Sequence, residues 1–418
     1  MGKIFPTLYV DGVVNPSSFY RLFYNCKNLK STIPEELFDG VTYVKQWGFF
    51  STFESSGVTG VIPAGLFADI KREHRQYAFM YTFYGCTGLT GIGGPLWAGL
   101  YGAPGTGEFK YTFYGCSGLT GPIPNGLFGT FDGPPASQMF MSTFHGCTNL
   151  TGPIPEDLFA GIKGAPANGM FWETFYNCKS LTGSIPEKLF AGISGTPASA
   201  MFWDTFCNCK SLTGQIPEKL FAGISGAPAG SMFNGTFRGC SGLTGSIPVG
   251  LFGVFDGAPA DSMFDSTFHN CTGLTGSIPE NLFAGISGSP AGSMFDSTFR
   301  GCVGLTGPIP AGLFAGISGS PARNMFAGTF GGCTGLTSIP ENLFAGISGA
   351  AADGMFTEYA TLNGGTFYGC TGLTGSSPKI DGKYLYEYWP DATGAQVSAM
   401  FYNCTGLTDY ADIPALWK

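Results

Sequence analysis

Residues 170–198 read MFWETFYNCKSLTGSIPEKLFAGISGTPA, and this stretch decides the fold. Met170, Phe171, Phe175 and Cys178 are spaced i, i+1, i+5, i+8, which predicts one face of a helix of about two turns. Asn177, Lys179 and Ser180 end it. Leu181 to Ile185 then alternates apolar and polar, a short strand with Leu181 and Ile185 inward and Thr182 and Ser184 outward. Pro186 lacks an N–H and stops the ladder. Pro186 to Phe190 suits a further helical turn with Pro near its first position. Ala191-Gly192 ends that turn, and Ser194 to Pro197 form a loop.

The unit recurs. Twelve of the 13 cysteines share one frame, and from Cys116 to Cys333 the step is 31 residues every time. Between Cys26 and Cys86, Ser56 fills the cysteine position of one more unit, which makes about 13. No unit can bury its Phe, Leu and Ile alone, so the units must stack as coils of a solenoid with parallel strand pairing. Gly is 67 of 418 residues, and only 11% are charged. No apolar run is long enough for a membrane span. A net charge of −8 argues against nucleic acid as a partner, and the short run Lys71 to Arg75 reads as a solvated loop.

The run from Phe268 to Pro279, F-x-x-C-x-x-L-T-x-x-I-P, resembles the BspA-like bacterial leucine-rich repeat. The resemblance covers nearly the whole chain, although the unit here is longer by an S-G-x-P-A loop and the Met-Phe segment. It implies an α/β solenoid of leucine-rich-repeat type, with a parallel strand ladder on one face and short helices on the other. It also implies a surface protein used for attachment to protein or glycan, with no catalytic residues to carry over. The expected organisation is one solenoid over 1–418: an N-terminal cap at 1–20, regular repeats at 21–350, and irregular repeats with an insertion at 351–418.

Little in the frame looks like chemistry. The cysteines Cys116, Cys147, Cys178, Cys209, Cys240, Cys271, Cys302 and Cys333 read as a buried, reduced structural ladder, one per coil, without the converging ligands of a metal site. Cys207 sits where other units carry Tyr, His or Arg and reads as a surface thiol. His145 and His269 lie four coils apart and cannot form a dyad. Glu156, Glu187, Glu218, Glu280 and Glu341 follow Ile-Pro and read as first-turn helix residues. No phosphate loop, nucleophile elbow or dinucleotide fingerprint is present, so neither an enzyme nor a cofactor is expected.

Function is therefore sought where the frame varies. Trp172 and Trp203, one coil apart, with Tyr176 beside them, form the first candidate contact site, and Tyr84 with Tyr114 a weaker aromatic pair. The second site is the Tyr-rich stretch that holds Tyr384, Tyr386 and Trp389, next to the insertion at 357–365. The chain opens without a secretory signal and stops at Trp417-Lys418 without a polar cap, which leaves a strand edge for self-association through the solenoid ends. Two functions follow. One is a non-enzymatic adhesion or recognition protein, at the cell surface or extracellular. The other is a structural subunit of a filament, appendage or virion fibre.

Overall fold

The computed structural model describes residues 19–71, 75–357 and 364–418. The expected cap at Ile4 to Val14, most of the basic run and most of the insertion lie outside these residues. The chain forms two compact units, Met1–Ser194 with Asp204–Thr213, and Gly195–Trp203 with Gly214–Lys418. Both are built from coils of the same design.

The Met-Phe segment is not a helix. In the coil of Phe140, the amides of Met139, Met141, Thr143, His145 and Cys147 donate three residues back, which makes overlapping β-turns. The alternating amides point out of the coil: Phe140, Ser142, Phe144 and Gly146 donate at 2.7–3.0 Å to carbonyls of Met170, Trp172, Thr174 and Tyr176 in the next coil. Every fourth residue has a left-handed backbone, here Gln138, Ser142 and Gly146 with φ of 55°, 53° and 72°. An α-helix needs negative φ throughout and keeps its amides to itself. The segment is thus a ribbon of turns with a period of four. That period lies close enough to 3.6 for its buried residues to imitate a helical stripe.

The strand wall is present but thin. In the first unit Gly121 bridges Leu150, and in the second Gly245 bridges Leu274 and Gly276 bridges Leu305, all parallel. Among the described residues, only Gly60–Ile62 against Leu89–Ile92 extends this wall into a longer ladder. The segment read as a loop carries a second parallel ladder: Gly164 bridges Ile193, and Gly288 bridges Ile317. Its closeness explains the glycine of Ala-Gly-Ile, since a Cβ on Gly192 would stand 2.1 Å from the Ile162 carbonyl oxygen. The Pro-Glu-x-Leu-Phe segment is again turns, so Glu156 and Glu187 are exposed turn residues rather than helix caps. An α/β label with helices along one face does not describe this chain. Helices among the described residues are confined to the irregular C-terminal part: α1 (Leu385–Tyr388), α2 (Gly394–Val397) and the 3-10 turn Ala415–Trp417.

The core is columnar. In the first unit Phe109, Phe140 and Phe171 stack at 5.5 and 5.8 Å, and Phe113, Phe144, Phe175 and Phe206 at 5.4–5.7 Å. In the second, Phe237, Phe268, Phe299, Phe330, Phe367 and Phe401 repeat the pattern at 5.6–5.7 Å. These rings are fully buried.

The polar residues of the frame serve the backbone. Thr174 Oγ1 donates to the Phe140 carbonyl one coil back, at 3.0 Å, and to the Phe171 carbonyl of its own coil, at 2.9 Å. The Cys178 thiol donates to the Phe144 carbonyl at 3.0 Å, and Cys147, Cys209, Cys302 and Cys333 do the same in their coils at 2.9–3.0 Å. Buried carbonyls have two lone pairs to satisfy, and the turn amides use only one. The threonine and the cysteine are therefore chosen for the inner rim of the ribbon.

At the end of the second unit, Leu416 and Trp417 carbonyls accept from the Ala399 and Phe401 amides at 3.3 and 2.8 Å. These are the amides that, in other coils, donate to a following coil. The edge expected to be bare is closed at those two positions, and Trp417 is buried.

Candidate functional site

The residue after Thr-Phe points outward from the ribbon. In the first unit this position forms a column of rings: Tyr84 stacks on Tyr114 at 4.8 Å, Tyr114 on His145 at 4.3 Å, and His145 on Tyr176 at 4.4 Å. Beside it, Tyr81 stacks on Tyr111 at 4.9 Å. The two columns meet edge to face, Tyr81 on Tyr84 at 5.5 Å and Tyr111 on Tyr114 at 5.7 Å. All six rings are half-buried. The weaker pair Tyr84 and Tyr114 and the separate residue Tyr176 thus belong to one surface. His145, a variable outward position of the frame, joins them.

Tyr81 and Tyr111 occupy left-handed positions, with φ of 60° and 58°. The corresponding residues of other coils include Ser142, Ser266 and Gly328. The same register also holds Arg21, Glu173 and Asp204, and any residue with a Cβ there costs roughly 1–2 kcal/mol relative to Gly. Burial comes first, then charge from neighbouring tyrosines and Glu173, in raising the Tyr111 hydroxyl to about 12. Tyr111 therefore keeps its proton at neutral pH and presents a hydroxyl group.

Glu173 organises one end of the site. Its Oε2 accepts from Ser142 Oγ at 2.9 Å and lies 3.1 Å from His145 Nδ1. Burial pushes the Glu173 pKa up, but the hydrogen bonds from His145 and Ser142 outweigh it and hold the carboxyl below the ordinary range. Serine, histidine and glutamate together suggest a nucleophile, but the order is wrong. Ser142 donates to the Glu173 carboxylate and not to the imidazole, which is not the order of a serine–histidine–carboxylate relay. The cluster braces the imidazole between two tyrosines.

The first sequence candidates divide between the units: Trp172 and Tyr176 lie in the first and Trp203 in the second, and all three are half-buried. The supposed surface thiol Cys207 is fully buried, because a short side chain at this position stays below the level that Tyr, His and Arg reach. The exposed thiol is Cys26. The eight ladder cysteines are all buried and free of disulfides. Burial, first of all, raises the thiols of Cys178, Cys209 and Cys333 well above their ordinary value.

In the C-terminal part, Tyr384 and Tyr386 stack at 5.2 Å, and Lys379 Nζ sits 4.9 Å from the Tyr384 ring centre. They follow a two-residue hairpin turn, Asp381-Gly382, with φ of 51° and 75°. Trp389 leaves the candidate site. It is buried, donates from Nε1 to the Gly349 carbonyl at 2.8 Å and packs edge-on against Phe356. It is a core residue of the irregular coil.

No grouping of three or more His, Cys, Asp or Glu suited to a metal occurs among the described residues. No helix among them is long and apolar enough to cross a membrane. No family model matches the chain, and no curated protein matches it. Among solved structures the chain is similar to a leucine-rich cell surface protein from Faecalibacterium prausnitzii, at 17% identity and a TM-score of 0.24, over 77% of this chain and 88% of that one. It is also similar to the leucine-rich-repeat ectodomain of the plant membrane receptor kinase GASSHO1/SCHENGEN3 from Arabidopsis thaliana, at 16% identity and a TM-score of 0.18, over 84% of this chain and 46% of that one. A third likeness is to the plant peptide hormone receptor RGFR1, at 14% identity and a TM-score of 0.13, over 83% and 70% of the two chains. TM-scores this low establish no common fold or function.

Proposed function

We propose that this protein is a non-enzymatic recognition or adhesion protein of leucine-rich-repeat type, displayed at a cell surface, that engages a protein or glycan through the tyrosine columns of its first unit. The observation that carries this reading is the stacking of Tyr81 on Tyr111 and of Tyr84, Tyr114, His145 and Tyr176 into two joined, half-buried columns. Core packing does not call for them, because their rings lie outside the phenylalanine columns. Tyrosine offers a large, rigid, amphipathic contact at little cost in side-chain entropy, which is why recognition surfaces favour it. Stacking has already fixed these rings before any ligand arrives.

The test is the double variant Tyr111→Ser with Tyr114→Ser, which restores the residue type of Ser142 at the left-handed position. Attachment to cultured host cells and to immobilised glycans and proteins should fall at least about tenfold, the cost of losing a contact of about 1.4 kcal/mol. Attachment equal to that of the unaltered chain, with an unchanged melting curve, would remove this surface as the site.

A further inference from the structure

We infer that Tyr24, Glu54 and Tyr84 form a cation slot that accepts a lysine ammonium or arginine guanidinium from a basic segment of the partner. This deepens the reading of the tyrosine columns as the recognition surface and rests on it. The ring column has one member missing. From Tyr84 onward each ring lies 4.3–4.8 Å from the next, so the faces between them are closed. One coil earlier the position holds Glu54, and one coil before that Tyr24. Backbone bonds set this order: the Asn25 amide donates to the Glu54 carbonyl and the Ser55 amide to the Tyr84 carbonyl, both at 2.7 Å. Tyr24 and Tyr84 are therefore two coil steps apart, about 10 Å by the parallel-strand spacing. With a glutamate at the position between them, no stacked ring covers the facing sides of Tyr24 and Tyr84.

Charge points to the occupant. Glu54 is only half-buried, and its carboxylate makes no hydrogen bond or ion pair with another described residue. Its negative charge reaches the site: burial first, and then Glu54, raise the pKa of the adjacent Tyr81 hydroxyl. A cation within about 6 Å of a tyrosine face is attracted by the ring quadrupole. The Tyr24 ring already holds such a group on the chain itself, with Arg21 Cζ 4.8 Å from its centre. The whole chain carries −8, so a basic segment would also be steered toward it.

The experiment uses the full chain and two fluorescein-labelled Gly-Ser peptides, one carrying two arginines and the other two glutamines at the same places, followed by fluorescence anisotropy. The arginine peptide should bind, more weakly as salt is raised, and the glutamine peptide should not. Glu54→Gln and Tyr84→Ser should each weaken binding about tenfold, the scale of a cation–π contact combined with an ion pair. Melting curves establish that both variants fold. Equal binding of the two peptides, or unchanged binding by Glu54→Gln, overturns the slot. Cell attachment that needs Tyr111 and Tyr114 but not Glu54 also overturns it, and leaves the recognition surface standing.

Discussion

At the scale of single residues, the frame is explained by the inner rim of the turn ribbon. Phenylalanine carbonyls face the core there, and Thr and Cys are short enough to bond them from the next coil. Thr174→Val keeps the shape and removes both bonds to Phe140 and Phe171. It should lower stability by about 1–2 kcal/mol in denaturant unfolding, the cost of a buried acceptor left short. The cysteines make the same point through reactivity. A thiol attacks only as thiolate, and burial keeps these protonated. Native alkylation followed by mass spectrometry should modify Cys26 alone, with the remaining 12 of 13 reacting after denaturation. Labelling of Cys207 in the folded chain would contradict its placement below the surface.

At the scale of the element, the turn ribbon depends on its left-handed positions. Asn177 has φ of 58°. Asn177→Gly should be nearly neutral and Asn177→Val should cost about 1–2 kcal/mol, measured by thermal melts. A helix would rank the pair the other way, since valine is a better helix former than glycine. The Ser142–Glu173–His145 cluster adds a pH dependence. The folded Glu173 pKa lies below its unfolded value, so the stability it contributes is present above the ordinary carboxylate range. That stability is lost as pH falls through the folded value. Melting temperature followed from pH 7 downward should drop less steeply for Glu173→Gln than for the unaltered chain. Parallel curves would mean that the cluster does not titrate with folding. The period of four was present in the spacing of Phe140 and Phe144. It imitates a helix because a stripe of buried residues records which side chains face inward, not the sign of φ.

At the scale of the molecule, stability should be close to a sum over coils and their interfaces. Deleting residues 263–293 brings Met294 to the place of Met263 and preserves the frame, because the step is a whole coil. Such a chain should keep its circular dichroism spectrum and elute as a folded protein, at reduced stability. Deleting about half a coil from the same place should abolish folding, since every inter-coil bond beyond it would meet the wrong partner.

The repeat, its length, and the inward set of Phe, Leu, Ile and Cys were legible in the linear order of residues. Burial follows from periodicity, and periodicity is a property of one dimension. The tyrosine surface was legible only in pieces: the frame pairs Tyr84 with Tyr114 and sets Tyr176 apart, while its union with His145, Tyr81 and Tyr111 depends on how side chains about 30 residues apart stack. Trp389 and Cys207 were misplaced for the same reason, because exposure depends on neighbours that only folding supplies. Coil stacking brings one residue from each turn into a single column and decides which of them reach past their neighbours into solvent.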